Sequence, residues 1–239
     1  MNLMDITDRL VQEVAALTFG NPVAHVYNPL RYAREPYDEY CLRYGRSPKR
    51  IVMVGMNPGP WGMVQTGVPF GDVDSVRGWL GIQGSVVIPP DQHPRRPILG
   101  FKCPRSEVSG RRVWGWARDR FGTPDRFFST CFVANYCPLA FLEESGRNRT
   151  PDKLPKWERE PLFAVCDRAL AATVAWLGAG LVLGFGAFAE ARCRVALRDL
   201  PVRACGMAHP SPANPRANRG WSELADKALA DLMDCLPTE

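Results

Sequence analysis

The 239-residue sequence lacks the features that define several large protein classes. It has no run of about 18 apolar residues, which excludes a membrane-spanning helix, and its acid-containing N-terminus differs from a signal peptide. It also has no Cys-x-x-Cys pair, and its eight cysteines follow no regular spacing. We therefore expect buried free thiols in a reducing compartment, with no metal site and no cofactor.

Acidic residues are scarce in one region of the chain. Residues 91–126 contain nine Lys or Arg and four Asp or Glu, and this excess of five equals the formal net charge of the whole chain, +5. A basic region of this kind is a candidate phosphate-binding surface, although an ordinary solvated face has the same composition. Trp114 and Trp116 lie in this region, where core packing is the favoured role and base stacking the alternative. The Pro-rich stretch 88–126 reads as an irregular insertion.

Charge is absent from residues 55–71, which read GMNPGPWGMVQTGVPFG. Their five glycines permit a close approach of backbone to ligand, and their three prolines restrict the loop. The stretch also lacks the terminal Lys-Ser/Thr of a phosphate-binding P-loop. We interpret it as a rigid, uncharged pocket wall for a flat ligand, with Asn57 and Phe70 as its amide and its aromatic side chain.

The rest of the chain alternates between two hydrophobic patterns. Helical spacing predicts helices over 3–17, 155–177 and 187–199 and a closing helix that carries Trp221. Short apolar runs rich in β-formers predict strands over 51–56, 128–136, 181–186 and 202–207. Strands that alternate with helices indicate a parallel sheet covered on both faces. The sequence shows neither an internal repeat nor a linker, so we expect one domain over residues 1–239.

Polar side chains follow three of the predicted strands. Asn57 follows the first strand, Asn135 ends the second, and His209 follows the fourth. Each could act locally, the amides as loop caps and the imidazole as a hydrogen-bonding group before its prolines. Because the carboxyl ends of parallel strands meet at one edge of a sheet, where ligands bind, the three together favour a site.

Three motifs carry a resemblance to a known family. GMNPGPWGMVQTGVPFG, FVANYCPL and HPSPANPRANRGW resemble the motifs of the single-strand-selective monofunctional uracil-DNA glycosylases, a branch of the uracil-DNA glycosylase superfamily. The similarity covers about residues 22–235. It implies a three-layer α/β/α sandwich around a central, mainly parallel four-stranded sheet.

The resemblance implies a base pocket in which Phe70 stacks on a flipped-out base and Asn135 hydrogen-bonds to the edge of that base. An amide carries both a donor and an acceptor, so Asn135 can match uracil while cytosine inverts both contacts. Met56 and Gly59 belong to the same pocket. The missing side chain at Gly59 leaves room for oxidised 5-substituted uracils such as 5-hydroxymethyluracil.

The same resemblance makes Asn57 and His209 the catalytic pair. Asn57 orients the attacking water, and because an amide cannot act as a base near neutral pH, the path is expected to be strongly dissociative. His209 stabilises the charge that develops on the departing base, either as a neutral N–H donor or as a cation. None of the three motifs contains a lysine, which argues against a Schiff base and therefore against lyase activity.

Contacts to DNA are expected from Arg111 and from the loop that follows His209. The loop residues are Pro210, Ser211, Pro212, Ala213, Asn214 and Arg216. Many relatives carry an arginine at the position of Ala213, where it is expected to fill the gap that the flipped base leaves in a duplex. Here the prolines or Arg216 take that role, or action on double strands is weaker.

Taken together, these features predict a monomeric DNA-repair glycosylase that hydrolyses the N-glycosidic bond of uracil and oxidised 5-substituted uracils in single- or double-stranded DNA, leaving an abasic site. A mismatch-specific uracil/thymine glycosylase, a non-catalytic DNA-binding relative and a hydrolase of free nucleotides or nucleosides remain as alternatives. We expect no membrane partner. The expected location is cytoplasmic and nucleoid-associated in a bacterium or nuclear in a eukaryote.

Overall fold

A computed structural model describes residues 2–233 of the chain. Its helices are α1 (Leu3–Ala15), α2 (Pro29–Tyr32), α3 (Arg34–Tyr44), α4 (Met63–Thr66), α5 (Val73–Gly78), α6 (Val108–Phe121), α7 (Pro124–Phe128), α8 (Lys156–Leu177), α9 (Gly186–Ala196) and α10 (Ala217–Met233). Its strands are β1 (Val23–Tyr27), β2 (Ile51–Gly55), β3 (Cys131–Asn135), β4 (Ala140–Glu143), β5 (Asn148–Arg149), β6 (Leu181–Phe185) and β7 (Arg203–Met207).

The central sheet contains the four strands that the sequence predicts. Its order is β3-β2-β6-β7, and all three pairings are parallel. Every residue of β2 and β6 is buried, so helices and loops cover both faces of the sheet, as the α/β/α prediction requires. The predicted second strand is too long at its start, because Phe128 ends α7 and the strand begins at Cys131.

The chain leaves β2 for β3 on one side and reaches β6 on the other side, which makes the carboxyl end of β2 a topological switch point. Parallel sheets bind ligands in the crevice that opens at such a point. Register places Asn135 directly beside Gly55 at this edge. The topology therefore brings the predicted polar residues to one end of the sheet.

A second, antiparallel sheet was not predicted. Its order is β1-β4-β5, and β4 pairs with both neighbours. Its strands are only two to five residues long and include polar residues such as His25, Asn148 and Arg149. Such short strands give too weak an alternation to be recognised from sequence.

The prediction of an irregular insertion over 88–126 is wrong for its second half, which contains the 14-residue helix α6. Trp114 and Trp116 are both buried on this helix, which confirms core packing as their role. The Nε1–H of Trp114 donates to the carbonyl of Phe70 at 3.0 Å, and that of Trp116 donates to Asp226 at 2.8 Å. Helix α6 is thus part of the core that supports the uncharged loop.

Helices α1 and α8 pack together on the sheet, and both begin close to where the sequence predicts. Asn2 starts α1 with a capping box, in which its side chain accepts from the backbone N–H groups of Met4 and Asp5. None of the helices within residues 2–233 is long and apolar enough to cross a membrane.

Six of the cysteines in the described part of the chain are buried as free thiols, and Cys205 is partly exposed. The eighth, Cys235, lies outside the described residues. Burial raises the pKa of the Cys131 thiol to about 12, so this thiol stays protonated at neutral pH. The cysteines therefore pack as small apolar side chains.

Candidate active site

An open cleft of about 480 Å³ lies at the carboxyl edge of the parallel sheet. It is lined by Met56, Asn57, Pro58, Gly59, Pro60, Phe70, Glu107, Ser109, Asn135, Asn148, Thr150, His209, Ser211, Ala213 and Asn214. The structure thus brings together all the residues predicted to hold the base or to catalyse the reaction. Two loops form most of the cleft: residues 56–71, here the amide loop, and residues 209–216, here the histidine loop.

The amide loop is fixed by close packing at glycines. A Cβ atom on Gly55, the residue before the loop, would collide with Oδ1 of Asn135 and would lie 2.8 Å from the ring of Phe70. Only glycine lets these two side chains approach each other across the end of β2. Residues 62–71 are all buried, so this wall is an extension of the core.

Phe70 has a strained backbone, with φ at 53° in the left-handed region. Such a conformation costs a non-glycine residue roughly 1–3 kcal/mol and persists only where its surroundings enforce it. Trp114 donates to the carbonyl of Phe70, and Phe185 packs edge-to-face against its ring with centroids 4.9 Å apart. The core therefore holds the Phe70 ring against the cleft.

Two amides face the same space. The Nδ2 group of Asn57 donates to the carbonyl oxygen of Leu139 at 3.1 Å, which fixes the amide and leaves its Oδ1 atom available. The Nδ2 group of Asn135 lies 3.1 Å from the sulfur of Met63, a weak acceptor that competes poorly with an oxygen. Both side chains can therefore hydrogen-bond to a molecule in the cleft.

His209 has a defined tautomer. Its Nδ1 atom accepts the backbone N–H of Ser211 at 3.0 Å, so in the neutral ring the proton is on Nε2. Burial lowers the pKa of His209 below the ordinary value of 6.5, because burial disfavours the charged imidazolium. Of the two alternatives left open by the sequence, this geometry and the lowered pKa favour the neutral N–H donor.

The histidine loop is held by polar side chains. Asn214 donates to the carbonyl of His209 at 2.9 Å, and Arg112 donates to the carbonyl of Pro210 at 2.8 Å. Arg112 also donates to Asn218, whose own amide donates to the carbonyl of Pro212 at 2.8 Å. Arg112, which the sequence did not single out, is the basic residue that braces this loop.

The predicted DNA-binding residues are spread over several environments. Within the histidine loop, Ser211, Ala213 and Asn214 line the cleft, Pro210 is buried, and Pro212 and Arg216 are exposed. Arg111 is exposed and lines a separate depression of about 390 Å³ together with Asp72, Trp79 and Arg118. It therefore lies outside the wall of the cleft.

An arginine–tryptophan stack lies beside the cleft. Trp61 follows Pro60, a lining residue, and two guanidinium groups lie over its ring: Arg96 at 5.2 Å and Arg105 at 4.5 Å from the centroid. These distances are within the range of cation–π attraction. Two cations are thereby held over the residue that follows the lining residue Pro60.

Four lining residues were missed by sequence reasoning: Glu107, Ser109, Asn148 and Thr150. Glu107 is the one with unusual surroundings, because its carboxyl group packs against Gly59 and Gly62 of the amide loop. Its Oε2 atom is shielded from solvent and has no hydrogen-bond partner among the described residues. Burial, with a smaller contribution from the negative Asp72, raises the pKa of Glu107 to about 7.

Comparison with known proteins agrees with the fold. The chain is 53% identical to the single-strand selective monofunctional uracil-DNA glycosylase of Rattus norvegicus and 51% identical to that of Mus musculus, in each case over 94% of this chain and 81% of the relative. A crystal structure of Pedobacter heparinus SMUG2 superposes on the chain with a TM-score of 0.68 and covers 96% of this chain and 97% of that chain. The two sequences are 16% identical, so this likeness shows the fold. A family model described as the uracil DNA glycosylase superfamily matches residues 42–233. The chain belongs to the uracil DNA glycosylase superfamily.

Proposed function

We propose that this protein is a monofunctional uracil-DNA glycosylase, which flips uracil out of DNA and hydrolyses its N-glycosidic bond to leave an abasic site for base excision repair. The observation that carries the proposal is one cleft in which an aromatic ring, two amides and a neutral histidine converge. Relatives about half identical to this chain bear the name of that activity.

Base recognition falls to Phe70 and Asn135. Stacking on the Phe70 ring offsets part of the stacking that the base loses, by about 1–3 kcal/mol. The amide of Asn135 donates to a uracil carbonyl and accepts from the ring imide N–H. Cytosine inverts both contacts, and each buried group left unsatisfied costs roughly 1–3 kcal/mol. Discrimination therefore needs no charged residue.

Bond cleavage depends on Asn57 and His209. The free Oδ1 atom of Asn57 orients a water towards the sugar carbon without taking its proton, so the glycosidic bond breaks largely before water attacks. The Nε2–H group of His209 donates to the O2 atom of the departing uracil, where negative charge develops. No lysine is among the lining residues within the described chain, which agrees with hydrolysis without a Schiff base.

DNA is the proposed partner, bound by a monomer through the histidine loop and nearby arginines. The exposed Pro212 and Ala213 are small and do not fill the gap in a duplex as an arginine at position 213 would, which leaves this role to Arg216, and we expect a preference for single strands. The arginine–tryptophan stack next to the cleft supplies cations for the phosphates. We expect the protein to act where DNA is kept, in the nucleus or the nucleoid.

The proposed substrates include oxidised 5-substituted uracils, because the space beside Gly59 holds the Glu107 carboxyl group and no side chain from position 59. We expect Gly59→Tyr to suppress the release of 5-hydroxymethyluracil more than that of uracil, and equal losses would contradict the steric argument. A side chain at position 59 would also collide with Oε1 of Glu107, so the tyrosine must displace that carboxyl group. Glu107 and Gly59 consequently act on the same part of the pocket.

A substrate panel tests the proposal. Base release is measured from single-stranded uracil, G·U, G·T, 5-hydroxymethyluracil and xanthine substrates, with alkaline cleavage to reveal abasic sites. We expect uracil release from single strands, and no strand cleavage before alkali. Release of thymine from G·T at a similar rate would favour a mismatch-specific glycosylase, and binding without release would favour a non-catalytic relative.

A further inference from the structure

The side chain of Glu107 occupies a gap that two glycines leave open. A Cβ atom on Gly59 would collide with its Oε1 atom, and one on Gly62 with its Oε2 atom. The backbone of Glu107 is anchored separately, since its N–H donates to Asp72 at 2.9 Å and its carbonyl accepts the N–H of Arg111 at 2.9 Å. The carboxyl group is therefore set against the amide loop by a backbone that is fixed on both sides.

This carboxyl group has unused hydrogen-bonding capacity. Its Oε2 atom is shielded from solvent and without a partner among the described residues, whereas Asp72 next to it accepts from Ser75, Ser106 and the Glu107 backbone. Asp72 is therefore satisfied by the fold, and Glu107 is not. An unpaired buried polar atom requires an explanation, and the Glu107 carboxyl group lines the cleft, where its Oε1 atom lies beside Gly59.

The chemistry of the pocket indicates which part of a bound pyrimidine lies near Glu107. In the proposed function His209 meets O2 and Asn135 meets the N3–O4 edge. The edge of the ring that remains is C5–C6, which the resemblance places at Gly59, and Oε1 of Glu107 lies directly beside Gly59 in the wall of the cleft. A substituent at C5 then points towards the Glu107 carboxyl group.

We propose that Glu107 is a specificity-determining residue of the cleft, whose carboxyl group hydrogen-bonds a hydroxyl-bearing substituent at C5 of the flipped base. This inference rests on the proposed function and names the group that distinguishes a 5-hydroxymethyl from a 5-methyl substituent. A protonated carboxyl both donates to and accepts from a hydroxyl group. A methyl group offers neither contact and leaves the carboxyl buried and unpaired, so thymine is disfavoured.

The test compares binding rather than cleavage. Single-stranded DNA carries one 2′-fluoro nucleotide, which resists hydrolysis, with 5-hydroxymethyluracil, thymine or uracil as its base. Dissociation constants are measured for the wild type and for Glu107→Leu, Glu107→Ala and Glu107→Gln. The matched control is Glu158→Leu, because Glu158 is also a buried glutamate with an unpartnered Oε2 atom among the described residues and lies outside the cleft.

The wild type should bind 5-hydroxymethyluracil more tightly than thymine, and both Glu107→Leu and Glu107→Ala should reduce that affinity ratio about tenfold. Glu107→Gln should keep the ratio within about twofold, because an amide also donates and accepts. Glu158→Leu should lower the thermal stability and leave the ratio unchanged. Two apolar variants are used so that a folding defect in one of them does not decide the result.

An unchanged ratio in both apolar variants would overturn the inference and would reduce Glu107 to a packing residue of the amide loop. If Glu107→Gln loses the affinity ratio to the same extent as the two apolar variants, the proposed hydrogen bond to the C5 substituent is contradicted. In parallel, the wild-type protein is assayed for the release of uracil from single-stranded DNA without the 2′-fluoro group. If no base is released while the affinity ratio still depends on Glu107, the cleavage part of the proposed function fails, and the base binding on which the inference rests stands.

Discussion

The two loops that form the cleft are built on different physical principles. Residues 62–71 of the amide loop are wholly buried, carry no charge and are shaped by glycine contacts with the core. In the histidine loop, by contrast, Pro212 and Ala213 are exposed, and side-chain hydrogen bonds from Arg112 and Asn214 hold its backbone. The amide loop is part of the core, whereas the histidine loop is held on the outside of the core by polar side-chain contacts.

This difference predicts which property, stability or activity, a substitution in each loop changes first. A change in the amide loop disturbs the core, so it should appear first as lost stability. A change in the histidine loop breaks contacts that are partly exposed to water, so it should appear as lost activity on an intact fold. The predictions below test that separation, beginning with the largest expected effect.

His209→Ala should lower the rate of uracil release about 10²–10³-fold, which is the usual cost of removing a donor that stabilises developing charge. The affinity for uncleavable uracil-DNA should change by only a few-fold, because His209 acts on the departing base. Single-turnover rates and binding curves separate the two quantities. A loss confined to affinity would show that the histidine loop binds DNA without taking part in the chemistry.

Gly110→Ala should destabilise the protein by about 1–3 kcal/mol, because the new Cβ atom would overlap the carbonyl oxygen of Phe70 and overpack the core. Gly115→Ala on the same helix is the control. Nothing lies within 4 Å of its Cβ position among residues 2–233, so it should raise stability by up to about 1 kcal/mol. Denaturant unfolding measures both, and equal effects would contradict the idea of a core-built amide loop.

Arg112→Ala should slow uracil release about tenfold, since it removes two hydrogen bonds that orient the histidine loop, each worth about 1 kcal/mol. The free energy of unfolding should fall less than in Gly110→Ala. Arg198→Ala, which removes an exposed arginine paired with its neighbour Asp199, should alter neither quantity. If Arg112→Ala unfolds the protein, the histidine loop is not the separable element described here.

The strands that carry the site could be predicted because each is a short apolar run followed by a polar residue. Asn57, Asn135 and His209 therefore converge as expected. Helix α6 has the spacing of a buried face at Gly110, Val113, Trp114 and Ala117, but its arginines and glycines masked that pattern. A periodicity count in which glycine is treated as apolar would have detected it.

Two features of the site could not be predicted because they depend on tertiary contacts. Glu107 reads as one acid in a basic region, and only the packing of α6 against the amide loop brings it to Gly59 and Gly62. The different surroundings of Arg111 and Arg112 likewise depend on tertiary contacts and could not be predicted from the sequence. Arg111, which is predicted to contact DNA, lines a separate depression outside the cleft, and the next residue on the helix, Arg112, donates to the histidine loop.

The charge state of His209 is the point on which the catalytic account depends. Burial lowers the pKa of His209 below 6.5, so the neutral form predominates at and above neutral pH. A lowered histidine pKa costs folding stability as the pH falls from the ordinary value of 6.5 towards the lower folded-state value, so the fold is not at risk on the alkaline side.

The most direct test is the pH dependence of the single-turnover rate on single-stranded uracil-DNA. It is measured from about pH 6.5 to 8.5 in the Glu107→Gln background, because the Glu107 carboxyl itself titrates near pH 7. If neutral His209 is the donor, the rate stays flat across this range. A rate that falls about tenfold per pH unit would show that the imidazolium is required and would contradict the account.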